Sequence, residues 1–110
     1  MKRRIIGLSL IFLFITAIAG AEVARTLNYG QVSVANTATV ILAANIRRTS
    51  ILVKNDGSAD IYVGGDSSVT TSNGLIISPG EGVSFPEYYG AIHGIVASGA
   101  ETASYLEESN

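Results

Sequence analysis

The stretch RTSILVKNDGSADIYVGG, Arg48 to Gly65, decides how the chain is read. Ser50-Ile51-Leu52-Val53 is a short, β-branched apolar run, too short for a good helix. Asp60-Ile61-Tyr62-Val63 alternates polar and apolar, the period of a strand with one buried face. Between them lies Asn55-Asp56-Gly57-Ser58. Asp-Gly is a hairpin turn pair, because Gly tolerates positive φ and Asp bonds its own backbone. Two strands joined by a tight hairpin are therefore expected here.

The same grammar repeats in both directions. Gln31-Val32-Ser33-Val34 alternates, and Thr39-Val40-Ile41-Leu42-Ala43 is a continuous apolar run. Leu75-Ile76-Ile77, Val83-Ser84-Phe85, Ala91 to Ala97 and Thr102 to Leu106 complete about eight candidate strands. Their spacing of roughly 8–12 residues is that of a sandwich or barrel. Continuous runs such as Ile51-Leu52-Val53 suit strands buried on both faces, or sandwiched by a partner. Ser78-Pro79-Gly80-Glu81 has the chemistry of a type II turn, Asn73-Gly74 offers a second reversal, and Phe85-Pro86 should end a strand. No segment shows a convincing amphipathic helix. The expected fold is all-β: a small antiparallel β-sandwich, jelly-roll-like or a related Greek key. Its expected core is Val32, Val34, Val40, Leu42, Ile51, Val53, Ile61, Val63, Ile76, Val83, Phe85, Ile92, Val96 and Tyr105.

The first residues follow other rules. Lys2, Arg3 and Arg4 precede an uncharged, apolar segment from Ile5 to Ala21, which closes on Ala19-Gly20-Ala21. A positive n-region, an apolar h-region and a small-residue exit make a secretory signal. The alternative is an uncleaved anchor helix, since 17 residues lie at the short end of what spans a bilayer. Both readings carry the body across a membrane. The organisation is thus 1–21 leader or anchor, 22–30 linker or first edge segment, 31–106 sandwich, and 107–110 flexible tail.

Without residues 1–21 the body keeps 4 of 7 basic residues and all 9 acids, a net charge of 4 − 9 = −5. That excludes a typical nucleic-acid-binding module, which needs a basic face. There is no cysteine, so thiol chemistry and Cys-based zinc sites are excluded. An exported domain without disulfides depends on its core or on partner subunits. Covering the edges of so small a sandwich makes a homo-oligomer the expected state.

Catalytic signals are weak. The glycine-rich stretch Val63 to Gly82 contains no lysine and no following helix, so it is neither a phosphate loop nor a dinucleotide fingerprint. Asp56, Asp60 and Asp66 lie near loop carbonyls. They lack the spacing of a calcium loop, and turn formation accounts for them, with a weak cation near Asp66 left open. His93 is the only histidine, and no nucleophile elbow is present. Nothing in the spacing of Glu81, Glu87 and Glu101 selects a catalytic pair. The chain reads as a non-enzyme without cofactor or metal. The candidate contact surface is Glu87-Tyr88-Tyr89-Gly90, because adjacent tyrosines in a strand cannot both face a core. The plainer alternative has one tyrosine capping the sandwich end and the other lying alone on the surface.

Four features recur in a telling order between Asn45 and Phe85, about half the chain. Arg48 precedes the Ile51-to-Gly57 strand and turn. Ile61-Tyr62-Val63-Gly64 follows, then Val69-Thr70-Thr71-Ser72-Asn73-Gly74, then Leu75-Ile76-Ile77 into Pro79-Gly80-Glu81. This order resembles small β-sandwich virion proteins of bacteriophages. The resemblance implies a non-enzymatic particle component of minor capsid, decoration or spike type, often oligomeric, whose partners are other virion proteins or itself. It transfers no catalytic residue. The leader departs from cytoplasmically assembled capsid proteins and suits a particle that contains a membrane or is extruded through one. Residues 5–21, if uncleaved, would then hold the sandwich on a membrane. The alternative function is a secreted or periplasmic bacterial module that recognises glycan or protein.

Overall fold

A computed structural model describes residues 26–110. The leader or anchor expected over 1–21 lies outside the described residues. Eight strands follow one another: β1 (Thr26–Ala35), β2 (Thr39–Leu42), β3 (Arg48–Asn55), β4 (Ile61–Gly64), β5 (Leu75–Ile77), β6 (Gly82–Ser84), β7 (Ile92–Ile95) and β8 (Ala100–Ser109). They form two antiparallel four-stranded sheets, ordered β1-β8-β3-β6 and β2-β7-β4-β5. Among the described strands only β4 and β5 are both consecutive and paired; every other connection crosses between the sheets. This is the jelly-roll order, two Greek keys folded into a double sheet.

The hairpin expected at Asp56-Gly57 is therefore not one. β3 pairs with β6 and β8, whereas β4 pairs with β5 and β7. Asn55 to Asp60 is a corner that carries the chain from one sheet to the other. Gly57 does not adopt the positive φ that a two-residue hairpin demands; among the described glycines Gly80 and Gly99 do. Ser78 to Glu81 does form the expected type II turn. Gly80 has φ 82°, and the Glu81 amide donates to the Ser78 carbonyl at 2.9 Å.

The facing sides of the sheets enclose Val34, Ile41, Leu42, Ile51, Val53, Ile61, Val63, Ile77, Ile92, Val96 and Ala103, with Val83, Phe85, Tyr88 and Tyr105 packed against them. Two expected core residues face outward instead, Val40 at 50% exposure and Ile76 at 52%. In β2 the register slips between Val40 and Leu42 where it pairs with β7. The extra residue puts Ile41 and Leu42 both inside and turns Val40 out, which strict alternation does not anticipate. In β5, Ile77 lies opposite buried Ile61, so Ile76 lies opposite Tyr62 on the outer face.

The C-terminus also differs from expectation. Residues 107–109 are not a flexible tail: β8 runs to Ser109, pairs with β1 and β3, and buries Glu107. β1 begins at Thr26, so residues 26–30 are part of an edge strand.

Candidate contact surface

The site is built around Arg48. A register shift between Arg48 and Ser50 in the β3–β8 ladder breaks the alternation of β3. Arg48 can thus point inward like Ile51, Val53 and Asn55, although its number differs from theirs in parity. Its side chain is almost completely buried. Nε donates to Glu107 Oε2 at 2.7 Å. Nη1 donates to the carbonyls of Tyr88 (3.0 Å) and Gly90 (2.8 Å), and Nη2 to that of Ala43 (2.7 Å). One guanidinium thus ties β3 to β8, to the β6–β7 loop and to the end of β2. Burial alone would raise the Glu107 carboxyl. Hydrogen bonds from Arg48 and Asn28, and the Arg48 charge, outweigh it and hold that carboxyl below its usual range.

The β6–β7 loop held in this way carries Tyr88 and Tyr89, and the structure separates them. Tyr88 turns inward: its hydroxyl donates to the Ala91 carbonyl at 2.7 Å, and its ring centroid lies 6.4 Å from that of Phe85. Tyr89 is half exposed, and its carbonyl accepts from the Asn45 amide at 2.9 Å. The two therefore do not form one paired aromatic platform. Tyr88 instead walls an apolar hollow of about 230 Å³, lined also by Val63, Leu75, Phe85 and Ile92 beside Gly64 and Gly65. Glu87 holds φ 59°, a left-handed conformation unusual for a residue with a Cβ.

Asp66 next to this hollow makes a local turn. Its carboxylate accepts from the Ser68 hydroxyl and from the Ser68 amide (2.9 Å), which lower its pKa. Asn73 Oδ1 caps the Thr70 amide, and the Gly74 amide reaches the Thr70 carbonyl, so Asn73-Gly74 closes the long β4–β5 loop. Asp56 accepts from Ser104 and pairs with Lys54 at 3.1 Å. Among the described residues no three His, Asp or Glu side chains group as metal ligands. His93 lies half-buried in β7, and its buried Nδ1 has no hydrogen-bond partner among the described residues.

The sequence reading missed a second surface. On the outer face of the β1-β8-β3-β6 sheet, Tyr29 lies opposite Leu106, Leu106 opposite Leu52, and Leu52 opposite Ser84. Tyr29 is 73% exposed, Leu106 40% and Leu52 38%. The other sheet carries Ile95, Tyr62 and Ile76 in one outward row. The only signal in the sequence is the lack of alternation in runs such as Ile51-Leu52-Val53, which supply apolar residues to both faces.

No family model matches the chain, and no curated protein matches it. Among solved structures it is similar to the stem and receptor-binding domain of the spike protein P1 from bacteriophage PM2, at 18% identity and a TM-score of 0.56. That match covers 74% of this chain but only 33% of the spike structure, so the chain spans about a third of it. A second similarity is to Bacillus endospore appendages described as disulfide-linked pili, at 19% identity and a TM-score of 0.43, over 86% of this chain and 98% of that one. The spike similarity is one of fold.

Proposed function

We propose that the chain is a non-enzymatic structural protein of a bacteriophage particle, a jelly roll displayed at the virion surface or outside a membrane. It acts through assembly and surface contact. The observation that carries this reading is the cross-strand row Tyr29–Leu106–Leu52, by which the outer face of a sheet offers apolar area to a partner. The fold similarity to a phage spike domain supports it. The partners on this reading are other virion proteins or further copies of the chain, without nucleic acid. Residues 1–21 serve as export signal or as anchor, and the location is the virion or the extracytoplasmic side.

A second reading is favoured by one observation, the apolar hollow walled by Tyr88 with Tyr89 exposed next to it in sequence. It is a secreted module that binds glycan or protein. Deleting the gene tests the first reading: particle yield or infectivity should fall and return on complementation, and particles that form and infect as before would overturn it. A glycan-array signal lost in both Tyr88→Ala and Tyr89→Ala would favour the second.

A further inference from the structure

The long edge of β1 distinguishes itself from every other edge of the sandwich. Sheet edges are normally blunted by shortness, charge, proline or a bulge. β2 has four residues and a register slip; β5 and β6 have three each, and Pro86 follows closely after β6. β1 has ten residues, no charge, no proline and an unbroken register with β8 from Thr26↔Ser109 to Ala35↔Ala100. Among the described residues only its last residue is engaged on the other side, where the Ala35 amide donates to Thr39 Oγ1 and the Ala35 carbonyl accepts from the Val96 amide. Among the described strands, Thr26 to Val34 therefore present an open ladder edge.

We infer that this edge pairs with β1 of a second copy, antiparallel about a two-fold axis at Tyr29. Length selects the occupant: among the described strands only β1 can match so long an open edge, since the other edges offer three or four residues, and with the axis at Tyr29 the segments Thr26 to Val32 of the two copies face each other. Self-pairing of one edge is isologous and closes as a dimer. Lack of charge on β1 removes like-charge contact at the seam, although each body is acidic as a whole. The outer face selects the register. With Tyr29 opposite its own counterpart, Leu52, Leu106 and Tyr29 of one copy continue into Tyr29, Leu106 and Leu52 of the other, one apolar row across six strands. Cross-strand aromatic pairs of this kind stabilise a sheet. Antiparallel pairing sends the two Thr26 ends to opposite ends of the dimer, an arrangement suited to chains freed of their leaders. The inference deepens the assembly reading by naming a partner.

The chain has no cysteine, so one introduced thiol reports the contact cleanly. In the purified full chain, Tyr29→Cys should give a disulfide-linked dimer on mild oxidation, because directly opposed residues lie within disulfide reach. Ile46→Cys, at an 87% exposed site in the β2–β3 loop, should remain monomeric under the same conditions. Equal cross-linking of the two would overturn the inference. In sedimentation equilibrium the unmodified chain should dimerise, and Tyr29→Lys should weaken dimerisation about tenfold or more, with an unchanged unfolding midpoint at dilutions where both proteins are monomeric. A chain that is monomeric at every concentration refutes the pairing. Neither outcome bears on whether the protein is found in particles, which is measured separately.

Discussion

β3 is fastened at both ends by a buried polar side chain, and the two fastenings use different physics. At its start, Arg48 gathers Glu107 and three carbonyls with a full charge. At its end, Asn55 does the corresponding work as a neutral amide. Asn55 Nδ2 donates to the carbonyls of Ala59 and Ile77, and Oδ1 accepts from the Gly57 amide, each at 2.8 Å. Its own backbone bonds Glu81 and Gly80, locking the Pro79-Gly80 turn onto the corner. The Arg48 end organises the loops around the apolar hollow; the Asn55 end organises two short turns. A buried ion pair binds more groups and is costlier to break. An amide pocket holds fewer groups and carries no charge that acid can remove.

This contrast can be broken at its strongest point first. Arg48→Met should destabilise the fold by about 3–5 kcal/mol, because Glu107 is left buried and unpaired; denaturant titration measures it, and Arg48→Met with Glu107→Leu should recover part of the loss. Asn55→Ala should cost less, about 2–3 kcal/mol, by orphaning the Ile77 and Ala59 carbonyls and the Gly57 amide.

Acid sharpens the difference. The folded-state pKa of Glu107 lies below its ordinary value of 4.5, so its contribution is complete above 4.5 and is lost as pH falls through the folded value. The stability gap between the wild type and Glu107→Gln should therefore close over that acid range. The gap to Asn55→Ala should persist, and parallel behaviour of both variants would show that charge does not distinguish the ends. The smallest effect is expected at Glu87→Gly beside the hollow. It should stabilise by no more than about 1 kcal/mol, the relief of a left-handed conformation less the entropy of glycine.

Sequence pattern was informative where a strand obeyed alternation and silent where a bulge interrupted it. All eight strands and the Pro79-Gly80 turn were legible, because turn residues and apolar runs are local signals. Which sheet each strand joins was not: Asp56-Gly57 looks like a hairpin and serves as a corner, since pairing is decided by contacts far apart in sequence. In the sequence Arg48 is marked only as preceding the Ile51-to-Gly57 strand and turn, and its partner Glu107 as part of a flexible tail. Only the fold brings them to 2.7 Å across 59 positions. Tyr88 and Tyr89 were legible as unequal to a shared core. Their division into an inward wall and an outward ring depends on the Arg48-bound loop.

Quantitative mass spectrometry of gradient-purified phage particles tests the functional account most directly. The account predicts peptides from residues 26–110 at a fixed ratio to the major coat proteins through successive gradients. Their absence from particles, with the protein recovered only from periplasm or medium, would contradict it.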